Sequence, residues 1–196
     1  MSSNDYIRIP AAGDPMQPSR IARLSWTVIL TLAAIGGSLA LSCVAPFAAL
    51  AVALGGTAGL RASLRAVAIV WLANQVVGFV FFHFPITTNT FLWGIAIGIA
   101  ALVTTTVAFV VMKYAAGSAT ALRLGICLLL SFGVYEMTLL VAAFILGGLE
   151  TFRPSIIAQL AWINAASLMG MIVLNEVAAA LCRPWLGRMP RLARSS

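Results

Sequence analysis

Glu136 is the residue with most chemistry to offer. It is a lone carboxyl in a stretch, residues 124–149, that is otherwise uncharged and largely apolar. An ionised carboxylate at membrane depth would be expensive, so the group must be protonated, hydrogen-bonded or beside water. No Lys or Arg lies at comparable depth in the neighbouring apolar runs. Two further polar stripes accompany it. Trp71, Asn74, Gln75 and Gly78 recur at helical offsets, and so do Asn164, Ser167 and Asn175. Two readings of these groups stand open. Asn74, Gln75 and Asn164 could be interhelical glue, worth about 0.6 kcal/mol each. Alternatively, they line a solute cavity together with Glu136, which then becomes the candidate for proton coupling. A cavity exposing Glu136 and at least one amide would favour the second reading, and tight bonding to neighbours the first.

Other groups with chemical potential are sparser. His83 is the only histidine, and Cys43 is expected at the same end of the bundle. A soft metal or corrinoid cobalt would accept either, but two residues define no metal site, and an interfacial histidine and a small packing cysteine explain them as well. Leu39 to Cys43 resembles a lipoprotein cleavage box only faintly. Cys127 and Cys182 read as small packing residues. Trp93, Trp162, Phe152, Phe82 and Phe84 cluster near the same end, as interfacial-belt aromatics or as stacking surfaces for a flat ligand. Thr104, Thr105 and Thr106 are expected to bond back to their own helix, and Glu176 to pair with Arg183 or Arg123.

No His-Glu-x-x-His, serine elbow or Walker loop occurs. The chain therefore reads as a non-enzyme with no cofactor. Its net charge of +7 lies between and beyond apolar runs without aromatic interleaving, which argues against nucleic acid and for a topology signal.

The elements that must position these groups are membrane helices. Hydrophobic residues make up 62% of the chain and charged residues 9%, against about 25% charged in soluble domains. Apolar runs and breakers predict an all-α polytopic bundle of about six transmembrane helices, near 22–43, 46–60, 66–84, 91–113, 122–147 and 156–182. The second is short, so it is expected to tilt or to thin the bilayer locally. Ser155 is a candidate cap for the sixth. Residues 1–20 read as a disordered tail with no convincing cleavable signal, 21–183 as the membrane domain and 184–196 as a basic tail. With both termini in the cytoplasm of an inner-membrane protein, eleven Lys and Arg fall inside and Arg153 alone outside. Loops 86–90 and 149–155 would then be outer lids.

Small residues at four-residue spacing mark helix faces: Ala33 and Gly37, Ala34 and Ser38, Gly36 and Ala40, and Gly94 and Gly98. They could pack within the monomer or dock a partner. In length, helix count, terminal orientation and the strip on its first helix, the whole chain resembles the substrate-binding S components of energy-coupling-factor vitamin and metal transporters. No diagnostic motif carries the likeness. The resemblance implies outside binding of a vitamin such as cobalamin, or a related micronutrient. It also implies docking through Ala33, Gly37, Ser38 and Ala40 to a membrane coupling subunit with ATPases. Homo-oligomerisation is a further partner option. The expected solute-binding set is Glu136, Asn74, Gln75, Asn164, Trp71, His83 and Trp93. The competing expectation is a non-transporting accessory or assembly protein.

Overall fold

A computed structural model describes the backbone of residues 20–40, 45–115 and 119–186, and side chains at 24–33, 36, 45–115 and 119–177. Residues 1–19 and 187–196, Cys43, and the side chains of Gly37, Ser38, Ala40, Cys182 and Arg183 lie outside the described residues, and the first three residues of the expected basic tail, 184–186, continue the last helix. The described residues form helices and connecting turns, with no strand among them. The helices are α1 (Arg20–Ala40), α2 (Phe47–Thr57), α3 (Leu60–Val76, continued by a π-helical turn Val77–Phe81), α4 (Thr88–Tyr114), α5 (Thr120–Leu146) and α6 (Pro154–Leu186). A 3₁₀ turn, Leu149–Phe152, joins the last two.

Among the described residues, four segments are long and apolar enough to cross a membrane: Leu60–Phe81, Thr88–Tyr114, Thr120–Leu146 and Pro154–Val177. Their outward faces carry large apolar side chains, with Leu129 72%, Trp162 74% and Ile145 78% exposed. This pattern is consistent with a membrane protein, whose helices turn apolar side chains to lipid.

Helix α2 is different. Its 11 residues rise about 16 Å, half the roughly 30 Å of a hydrocarbon core. It is nevertheless the most enclosed element, because every residue from Phe47 to Leu54 is buried. A helix that is apolar all round belongs in an interior, and α2 packs against all five other helices, most extensively against α4. Close approach explains the small side chains: a Cβ on Gly55 would lie 3.3 Å from the Ala108 backbone of α4. Because protein rather than lipid encloses α2, its short length requires neither the tilt nor the bilayer thinning expected for the second helix.

The turns differ in detail from the sequence expectation. Helix α2 stops at Thr57 because Ala58 is extended, and α3 starts at Leu60. Arg61 and Arg65 therefore ride on the first turns of α3 instead of in a loop. Pro154 opens α6, a position where its missing N–H is harmless, so Ser155 lies inside the helix and is not its cap. At α4, Thr87 supplies the cap, its hydroxyl accepting from the Thr90 N–H at 3.2 Å. Gly147 and Gly148 end α5 at φ of 83° and 102°, a left-handed path that glycine takes without strain. The bundle thus has a basic end, with Arg61, Arg65, Lys113 and Arg123, and an opposite loop end formed by residues 82–87 and 147–153.

Candidate functional site

Stopping halfway leaves α2 with a helix N-terminus inside the protein, where unbonded N–H groups are costly. Its N-cap residue is Pro46, which offers no side-chain cap. Asn164 of α6 supplies one through space. Its Oδ1 accepts from the Ala49 N–H at 3.1 Å, and its Nδ2 donates to the Leu160 carbonyl of its own helix at 3.0 Å. Asn164 is buried, and the arrangement fixes α6 against the start of α2.

Beside this junction lies a cavity of about 160 Å³. Phe47 lines it from α2, Asn74 from α3, Trp93 from α4, Tyr135 and Glu136 from α5, and Asn164 from α6, with aliphatic Leu139 and Leu160 between them. Glu136 stands about ten residues before the end of α5 and Asn164 about ten after the start of α6. At 1.5 Å per residue, both are about 15 Å below the loop end. One Glu136 oxygen, Oε1, is buried and has no hydrogen-bond partner. Tyr135 packs its ring near Phe47, with centroids 6.0 Å apart. Neighbouring helix positions point about 100° apart, yet the hollow is broad enough that Tyr135 and Glu136 both border it.

The structure divides the expected binding set. It brings Glu136, Asn74, Asn164 and Trp93 to one cavity. Trp71 and Gln75 turn instead into the α3–α4 contact. Trp71 Nε1 donates to the Gly94 carbonyl at 2.8 Å, and its ring covers Gly98, where a Cβ would fall 2.7 Å from Cε2. A Cβ on Gly94 would fall 2.6 Å from Gln75 Oε1. The Gly94–Gly98 strip is therefore a seat for the polar edge of α3. His83 is exposed at the loop end, at φ 52°, with Nδ1 3.1 Å from the Phe81 carbonyl oxygen.

Other groups fall outside the cavity. Trp162 faces outward. Phe84 folds back on α3, where a Cβ on Gly78 would lie 2.8 Å from its ring, and its N–H donates to the Gly78 carbonyl at 3.1 Å. The 147–153 turn approaches the cavity through Trp93, since a Cβ on Gly148 would lie 3.3 Å from that ring. Thr105 and Thr106 bond back to Ala101 and Leu102 as expected, whereas the buried Thr104 hydroxyl has no partner. Cys127 is buried, with Sγ 3.6 Å from the Ala108 carbonyl oxygen. No group of three or more His, Cys, Asp or Glu among the described residues could hold a metal ion. Sequence reasoning had not singled out Phe47 or the paired placement of Tyr135; the breaks at Pro46 and the adjacency to Glu136 were the only signals.

No family model, no curated protein and no solved structure matches the chain. The class defined by fold and site is an all-helical bundle, consistent with a membrane protein, with a largely apolar cavity bordered by Glu136, Asn74 and Asn164 near the end of a buried half-length helix.

Proposed function

We propose that this chain is a membrane transport component that binds a small solute in the Glu136 cavity and carries it inward. The observation behind the proposal is the unpartnered Glu136 Oε1 beside a hollow also lined by Asn74 and Asn164. A buried carboxyl oxygen without a partner is destabilising, and a solute would supply the missing partner. An internal helix end at a site is also the arrangement by which discontinuous helices build midplane sites in transporters. In this reading the basic end faces the cytoplasm of an inner membrane and the loop end faces outside, a placement that the distribution of Lys and Arg supports. Gly148 over Trp93 then makes the 147–153 turn the outer cover of the site.

Solute size follows from the cavity. About 160 Å³ is on the order of a hollow that holds one benzene. A corrinoid is many times larger, so this hollow favours a micronutrient or metabolite of few heavy atoms over cobalamin. Membership of the S-component class is part of the proposal: α1 would dock a coupling subunit through a face on which Ala33 and Gly36 are exposed.

The accessory-protein reading has its own supporting observation. Asn164 and Trp71 are both bonded to neighbouring helices, as structural glue would be. The test is untargeted mass spectrometry of small molecules copurifying with wild-type protein and with Glu136→Leu. The transport reading expects a solute retained by the first and absent from the second. Equal small-molecule content in two folded proteins would favour the accessory role.

A further inference from the structure

We infer that the cavity selects a small organic cation, an ammonium on an apolar body of roughly benzene size, held by Glu136 and the rings of Phe47, Tyr135 and Trp93. The inference rests on the solute-binding reading above and adds the charge of the ligand.

The cavity offers few polar groups. Asn164 already has both ends of its amide bonded to backbone, and Asn74 has a partner of its own. Glu136 also lines the hollow, and its Oε1 is buried without a hydrogen-bond partner. No Lys or Arg lines the hollow. The nearest basic residue along α5 is Arg123, thirteen positions away and so about 20 Å down the helix. An ionised carboxylate at this depth is stabilised by a counter-charge, and a cationic ligand is a group that can bring it.

The rest of the lining agrees. Three aromatic side chains from three helices border the space, and an aromatic quadrupole attracts a cation. A bare metal ion finds too few ligands among the described residues. An anion would meet the carboxyl. It would also find the Ala49 N–H of the α2 terminus already taken by Asn164. A neutral solute would hydrogen-bond a protonated Glu136 but would give the ionised form no counter-charge.

The test uses three probes of nearly equal shape on purified full-length protein in lipid nanodiscs: benzylamine, benzyl alcohol and benzoate, measured by isothermal titration. Benzylamine should bind at least about tenfold more tightly than benzyl alcohol, with benzoate weakest. Glu136→Gln should remove that preference while binding of benzyl alcohol stays within a factor of about two. Glu136→Asp, which keeps the charge, should retain part of it. Filling the hollow with Leu139→Trp should abolish binding of all three. If benzyl alcohol or benzoate binds wild type as well as benzylamine does, and Leu139→Trp blocks it, the cavity is a solute site but not a cation site. If no probe binds folded wild-type protein, the cavity reading falls and the cation inference with it.

Discussion

Two polar clusters in this bundle look alike in the sequence and differ in the structure. At the α3–α4 contact, Trp71 and Gln75 lie against Gly98 and Gly94, and the Trp71 N–H has a carbonyl to bond. Around the start of α2, Asn164 is equally well bonded, but next to it Glu136 keeps a buried oxygen with no partner and borders empty space. The first cluster is finished by the protein itself. The second keeps one buried oxygen unsatisfied. Inside a bundle, the presence of polar groups therefore says little; whether neighbours satisfy them separates glue from a site.

Substitutions in the finished cluster should damage folding and spare binding, and the largest effect is expected at Gly98. Gly98→Leu drives a side chain into the Trp71 ring, and overpacking of this kind costs about 1–3 kcal/mol or more. A large fall in the thermal midpoint of detergent-solubilised protein is the expected reading, and an unchanged midpoint would mean that α3 and α4 do not pack this closely. Asn164→Leu should come next, at about 1–3 kcal/mol, because the Ala49 N–H is left buried and unbonded. Hydrogen exchange at the first turn of α2 should rise in this variant and in no variant of the α3–α4 contact.

Gly148→Ala is expected to cost about 1 kcal/mol, because φ of 102° strains a side chain. It also presses on Trp93, so it should slow solute exchange as well as lower the midpoint. A loss of stability with unchanged exchange kinetics would detach the 147–153 turn from the site. The smallest effect belongs to Trp71→Phe, which loses one hydrogen bond between helices, about 0.6 kcal/mol. Probe binding to the Glu136 cavity should be indistinguishable from wild type. A binding defect there would merge the two clusters and break the contrast between them.

How much of this was legible beforehand depends on whether the signal was local. The prolines at 46 and 85, the glycines at 147 and 148 and the length of the apolar runs marked the long helices to within about four residues, except that α3 starts six residues before its expected bound. Glu136 stood out because a carboxyl in an uncharged run is costly wherever it ends up. The enclosure of α2 was not legible, since an apolar run reads the same against lipid as against protein. Asn164 capping Ala49 joins residues 115 positions apart, and no spacing rule reaches that far. Periodicity grouped Trp71, Asn74 and Gln75 on one stripe. It could not show that Trp71 and Gln75 meet α4 while Asn74 borders the cavity, because that depends on which helix lies alongside.

The contrast between the clusters is tested most directly by the solute-free thermal midpoint of Glu136→Leu set beside that of Asn164→Leu. Replacing an unsatisfied buried carboxyl by an apolar side chain of similar size removes a liability, so the Glu136 variant should melt at or above the wild-type temperature while the Asn164 variant melts below it. Should Glu136→Leu lose as much stability as Asn164→Leu, Glu136 would be structural glue, and the cavity would have no claim to a solute.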